Sequence, residues 1–373
     1  MKQHILVIRF SALGDVAMMV PVVYALARQY PDVRITVLSR GFARPLFDDL
    51  APNVNFMEAD LKDEYRGVKG LNALYRRLVA KQFTHVADLH SVLRSEYLRI
   101  RFNLGRFHVQ HIEKHRKYRR QLVAPKKGKR RQQLPTSFEN YMEVFERLGF
   151  PISQADFRSI FPPEGGNLNL LPNAIGQKRT WEQWIGIAPF AAHQGKVYPP
   201  EMMQQVIGLL TARYPKLRIF LFGRGKEEEK IFPRWVQLMP QCTDVGWHLE
   251  TMHQELILMS HLDVMLSMDS ANMHLASLTG TPVVSVWGAT HPWAGFMGWN
   301  QKPENAIGLD LPCRPCSIYG QKKCRFGDYR CLTGIAPETI VERLSAIIGP
   351  ATGTPSSPQQ SPEHPIGPSG PEY

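Results

Sequence analysis

Ser267-Met268-Asp269-Ser270-Ala271-Asn272-Met273-His274-Leu275-Ala276 is followed by Thr279-Gly280-Thr281-Pro282 and by the apolar run Val283-Val284-Ser285-Val286-Trp287-Gly288. This order of residue types reads as strand, polar turn, short helix, strand. An acid and a hydroxyl sit where a strand ends and a helix begins, the place at which open α/β sheets hold phosphorylated ligands. The stretch therefore constrains the fold to a parallel, helix-covered sheet and points to a site for a nucleotide-linked sugar.

The rest of the chain repeats the alternation. Apolar runs at His4–Phe10, Arg34–Leu38 and His85–Leu89 are separated by amphipathic stretches, one from near Asp15 to Tyr30 and one around Leu71–Lys81. Pro21 is tolerated near the first turn of a helix, whose amides lack intrahelical partners. After a helical segment at Tyr141–Leu148 comes a Pro- and Gly-rich connector, Phe150–Pro172, and then the pattern restarts. Strands are expected at Trp184–Pro189, Leu217–Phe222 and Asp263–Met268, with helices at Glu201–Tyr214, after Gly225 and at Met252–Ser260. Such alternation predicts βαβ units and two doubly wound halves. The expected division is 1–165, 166–349, and a Pro/Ser/Gly-rich tail, 350–373, unable to offset its own ordering entropy.

The 373 residues, 43% of them hydrophobic, suffice for two cores. The net charge of +12 is concentrated: Lys114–Arg131 carries ten Lys or Arg and no acid, so the remainder carries only +2. A nucleic-acid partner would explain that segment but not the acids and turns elsewhere, and none is expected. With no run of 18 apolar residues and a strand at the very start, neither a membrane span nor a signal peptide is expected, and a cytoplasmic location is.

A second phrase lies at the first strand: Ile5-Leu6-Val7-Ile8-Arg9-Phe10-Ser11-Ala12-Leu13-Gly14-Asp15. With Pro189–Pro199, which contains Lys196, and Asp269–Ala276, it resembles glycosyltransferase family 9, the ADP-heptose:lipopolysaccharide heptosyltransferases. The resemblance covers roughly residues 4–345. Ala271 stands where the family usually has Gly, and Phe190-Ala191-Ala192 where it has Gly followed by small and hydroxyl residues.

The resemblance implies a GT-B architecture, two Rossmann-like domains facing a central cleft, in which the last helix, Pro337–Ile348, commonly crosses back to the first domain. It also implies an inverting transfer of heptose from ADP-heptose to the Kdo/heptose inner core of lipopolysaccharide. Asp15 would be the general base, although an Asp in this position also serves as a helix N-cap. Lys196 would neutralise the departing diphosphate, with the amides of Ser270, Ala271, Asn272 and Met273 at a helix start. Asp269 would grip sugar hydroxyls and His274 would approach phosphate or pack in the core. In Gly223-Arg224-Gly225-Lys226-Glu227-Glu228, Gly223 would form the donor turn and Glu227, in preference to Glu228, would hold the ribose. Arg9 and Ser11 shape the first turn or contact substrate. Asp88, His90 and Arg94 face the acceptor or cap a helix.

The chain contains no D-x-D pair, the usual carboxylate clamp for a divalent ion on a nucleotide sugar, so lysine and helix dipole are expected to replace a catalytic metal. Cys313, Cys316, Cys324 and Cys331 lie close in sequence and, in a reducing compartment, suggest either a structural zinc site or a group of reduced or partly bonded thiols. The basic segment Lys114–Arg131 is expected to meet the lipid A–core acceptor or the anionic inner-membrane surface, making the protein peripheral at its cytoplasmic face. The alternatives are a GT-B transferase using another nucleotide sugar and a sugar-nucleotide epimerase. A nicotinamide-dependent oxidoreductase is excluded by the first turn, which lacks G-x-G-x-x-G.

Overall fold

The computed structural model describes residues 3–124, 131–153 and 156–350. Pro125–Arg130 of the basic segment and the tail from Ala351 lie outside the described residues. In chain order the first half comprises β1 (His4–Ile8), α1 (Leu13–Ala17), α2 (Val20–Gln29), β2 (Arg34–Ser39), β3 (Val54–Glu58), α3 (Gly67–Val79), β4 (His85–Asp88), α4 (Leu93–Leu104), β5 (His108–His111), α5 (Arg116–Leu122) and α6 (Ser137–Arg147). The second half comprises β6 (Gln183–Ala188), α7 (Pro200–Arg213), β7 (Leu217–Leu221), α8 (Lys226–Leu238), β8 (Cys242–Asp244), α9 (Val245–His248), α10 (Met252–Met259), β9 (Val264–Met268), α11 (Ala271–Leu278), β10 (Val283–Val286), β11 (Ala306–Ile307), α12 (Arg330–Thr333) and α13 (Pro337–Ile348).

The strands form two parallel sheets, ordered β3-β2-β1-β4-β5 and β11-β10-β9-β6-β7-β8. Every residue of β1, β6, β9 and β10 is buried, as expected of strands covered by helices on both faces. In each sheet the strand order reverses once, between β1 and β4 and between β6 and β9. Those reversals open the crevices in which doubly wound folds bind ligands. The registers bring Ile8 beside Asp88, and Ala188 beside Ser267, so the loops leaving each pair emerge side by side.

Three expectations need correction. The stretch from Asp15 to Tyr30 is two helices, because Pro21 cannot donate to the carbonyl four residues back; the chain breaks at Met18–Met19 and Pro21 opens α2 within its own first turn. The last helix does not cross back. It packs on α7, β9 and β10, and Ile340, Val341 and Leu344 belong to the apolar layer of the second half. Short strands at sheet edges, β3, β5, β8 and β11, were not anticipated; β5, His-Val-Gln-His, has no apolar face to reveal it.

A continuous apolar cluster joins the halves. It runs from Ile5 and Val7 through Val16–Val23 and Tyr141–Phe145 to Trp184, Leu256–Met259 and Met273–Ala276. Helices α1 and α11 pack directly on one another within it.

Candidate active site

Both crevices empty into one cavity of about 640 Å³, lined among others by Gly14, Asp15, Phe190, Lys196, Asp269 and Ser270. A smaller one of about 200 Å³ adjoins it, lined by Arg9, Ser11, Asp15, His90, Lys114 and Arg119 among others. Asp15 borders both.

Asp15 is presented by the first turn of α1. Its Oδ2 lies 2.9 Å from the buried Arg9 guanidinium and accepts the Ala12 amide at 3.2 Å, while about a third of the side chain stays exposed. Burial raises the carboxyl pKa, but the Arg9 charge and the Ala12 N–H outweigh it and leave it below the usual carboxylate range. Arg9 is itself anchored by donating to the Leu89 carbonyl and by stacking over the Tyr141 ring. The Tyr141 hydroxyl donates to the Asp15 carbonyl at 3.1 Å. Arg9 therefore shapes the site from behind rather than standing free in it.

The opposing loop, between β6 and α7, carries Lys196. Its Nζ lies 2.9 Å from Asp269 Oδ2, both side chains largely buried. Ser270 is the N-cap of α11 and its hydroxyl lies 3.2 Å from that of Ser267. Ala271 and Asn272 also line the cavity, whereas Met273 is turned into the core. His274 sits one turn into α11, 6% exposed. Burial pushes its ring down to about 4, against the pull of Asp269 and Asp15, so it is neutral. A Cβ on Gly14 would fall 2.7 Å from the His274 ring, so this close approach of α1 to α11 requires glycine.

The third loop follows β7. Gly223, at φ 149°, and Gly225 leave room for Glu228 to fold back over the turn. Arg224 braces the turn through Glu255 at 3.1 Å. Glu228 lines the cavity; Glu227 points to solvent and pairs with Lys230. Helix phase thus places Glu228 and not the expected Glu227 at the cavity, since adjacent residues of a helix point in different directions.

On the first-half side, His90 lies 3.3 Å from the Ser11 hydroxyl and borders the smaller cavity. Burial, then Arg9 and Lys114, push it down to about 4. Asp88 does not reach either cavity: fully buried, it accepts the amides of His90 and Ser91 and faces Arg99 at 3.6 Å, so it holds the turn after β4. Arg94 is exposed on α4 and lines neither cavity.

Residues remote in sequence complete the enclosure. Arg119 donates to the Tyr319 hydroxyl at 2.7 Å and lies over the Phe296 ring at 5.1 Å, bridging the two halves. Lys114 donates to the Ser91 carbonyl at 2.9 Å. Sequence gave no signal for Tyr319 or Phe296.

The zinc expectation is not met. Among the described residues no group of three or more His, Cys, Asp or Glu is placed to hold a metal, and Cys313, Cys316, Cys324 and Cys331 form no disulfide. Instead the buried Arg314 occupies their neighbourhood, donating to the carbonyls of Trp287, Gly288 and Thr290. Nor is any helix among the described residues long and apolar enough to cross a membrane.

Comparison with known proteins gives this geometry a lineage. The model of glycosyltransferase family 9 (heptosyltransferase) matches residues 71–329. The lipopolysaccharide core heptosyltransferase OpsX of Haemophilus influenzae is 24% identical over 300 residues, 77% of this chain and 79% of that protein. A match to lipooligosaccharide heptosyltransferase 2 of Campylobacter jejuni, also 24% identical, spans 35% of this chain and only 42% of that protein. Among solved structures, the family 9 glycosyltransferase of Veillonella parvula superposes with a TM-score of 0.72 at 18% identity, covering 93% of this chain and 97% of that one. The E. coli heptosyltransferase WaaC with ADP superposes at 0.62 with 16% identity, covering 92% and 99%. These likenesses fix the architecture as GT-B, and with more than half of the sequence matched by the family model, the chain belongs to glycosyltransferase family 9, the heptosyltransferases.

Proposed function

We propose that the chain transfers heptose from ADP-heptose to the Kdo/heptose inner core of lipopolysaccharide with inversion. The observation that carries this is the convergence of Asp15, from one half, with Lys196, Asp269 and the start of α11, from the other, on a single cavity. Residues 1–165 form the acceptor half and 166–349 the donor half in this proposal.

The chemistry follows from the placement. The diphosphate lies against Lys196 and the amides of α11, whose positive end and cation take up the charge that grows as the bond to the sugar breaks. Asp269 engages sugar hydroxyls, Glu228 the ribose, and the neutral His274 a phosphate oxygen. Asp15 accepts the acceptor hydroxyl proton. Held ionised by Arg9, it is a weak base in the free protein, suited to a transfer in which that hydroxyl acidifies only as it bonds to the oxocarbenium-like carbon. Lys114, Arg119 and Arg9 gather positive charge around the smaller cavity, which suits an acidic sugar acceptor.

WaaC was solved with ADP, and OpsX is named for the lipopolysaccharide core; both support this choice of donor and acceptor. The protein works in the cytoplasm, against the anionic inner membrane, which the basic segment approaches. Incubation with ADP-, UDP- and GDP-sugars and a Kdo-bearing lipid acceptor tests the proposal: ADP release that needs the acceptor and ADP-heptose supports it, and turnover of donor without acceptor defeats it. Full activity in EDTA is expected.

A further inference from the structure

Helix α4 is apolar on two opposite faces. Ser95, Leu98 and Phe102 are buried against the first sheet. On the other side Leu93, Ile100 and Leu104 are 86, 53 and 77% exposed, and the half-buried Tyr97 lies between them. Positions i, i+4, i+7 and i+11 share one face of a helix, so these four form a stripe rather than scattered surface residues. A helix apolar on both faces calls for two partners, and the described residues supply one.

The charges beside the stripe select the second. Arg94 and Arg101 flank it on α4, where the acid Glu96 is engaged by Arg99 at 2.9 Å. At the N-terminal end of α4, the Ser91 carbonyl accepts from Lys114, which leads into α5 with its exposed Arg116, Lys117, Tyr118 and Arg120. Two copies of the chain meeting through α4 would bring these cations together, whereas an anionic bilayer attracts them and receives the apolar side chains between. Val92, next to Leu93, lines the cavity shared by Asp15 and Lys114.

We propose that the outer face of α4, with α5 beside it, inserts into the interfacial layer of an anionic lipid membrane and so seats the smaller cavity at the lipid boundary. This deepens the proposed function by assigning the apolar half of the contact; the basic segment alone would give only a salt-sensitive one. Arg94, exposed, lays its stem along the interface and raises its guanidinium group to the headgroups, while Arg101 is held against α3 by Asn72 at 2.9 Å and by the Tyr75 ring.

Cosedimentation with vesicles of phosphatidylethanolamine and phosphatidylglycerol tests it, read without donor or acceptor so that the outcome is independent of catalysis. The wild type is expected to bind and to retain part of its binding at about 1 M salt, where the screening length falls to about 3 Å. Leu93→Ser, Ile100→Ser and Leu104→Ser combined should weaken binding at least tenfold at both salt levels, leaving ADP binding and Tm unchanged. Arg116→Gln, Lys117→Gln and Arg120→Gln combined should remove only the salt-sensitive part. The proposal is overturned if the triple serine variant binds like the wild type, if the wild type does not bind, or if the serine changes convert a dimer to a monomer in solution.

Discussion

Lys196 Nζ and Asp269 Oδ2 lie 2.9 Å apart, each carried by a loop at the reversal point of the second sheet. The pair pre-positions a cation beside the start of α11 while keeping a buried carboxylate neutralised. Lys196→Ala should therefore act twice. ADP affinity and turnover both fall, because the charge serves ground state and transition state alike. Stability falls too, since a buried acid loses its partner. Adding Asp269→Asn should recover much of the lost Tm while leaving turnover low. Thermal unfolding and ADP titration of the single and double variants check this, and an unchanged ADP affinity in Lys196→Ala would remove the lysine from the site.

Asp15→Asn should fold and bind donor nearly as the wild type does, yet lose about 10²-fold or more in turnover as the proton acceptor disappears. Single-turnover rates with saturating donor decide it. A variant that retains wild-type rates would leave Asp15 as a cap of α1 and no more.

Glu228→Gln should weaken ADP binding about tenfold, the scale of one lost hydrogen bond to a charged group. Glu227→Gln should change nothing, since Glu227 pairs with Lys230 in solvent. Calorimetric titration of both variants separates them, and the reverse ranking would return the role to Glu227.

Acid should destabilise the protein before its carboxylates titrate. His274 is kept neutral with a pKa near 4, whereas in the unfolded chain it ionises near 6.5. Between those values the unfolded state binds more protons, so stability is fully present above pH 6.5 and declines as pH falls towards 4. For this one ring the loss is on the order of 3 kcal/mol. His4 and His90, also pushed down to about 4, act in the same direction. Denaturant unfolding from pH 8 to pH 4 should show a shallower decline in His274→Gln than in the wild type; parallel curves would contradict the burial argument.

What the sequence disclosed was local. Asp15, Lys196 and Asp269 each follow an apolar run and precede a helix, a pattern that places a side chain at the carboxyl end of a parallel strand, and all three meet in one cavity. Where the answer depended on phase or on distant pairing, sequence was silent. Glu227 and Glu228 differ only by one step of helix rotation. Asp88 occupies a strand end like the others, yet its carboxylate turns inward to hold two amides. Tyr319 and Phe296 reach Arg119 only after the chain has folded. The four cysteines illustrate the opposite error: closeness along the chain did not become a set of ligands placed to hold a metal among the described residues.

The apolar cluster that runs unbroken from β1 to α11 also bears on how such a chain can be inherited. Two halves joined by a thin polar seam could be exchanged between relatives as separate parts. Here the helix behind Asp15 and the helix behind Ser270 are pressed together, with Gly14 admitting His274 at closest approach. Exchanging either half alone would have to reproduce that close-packed surface, so residues on the two sides of the seam are expected to vary together, residue against residue.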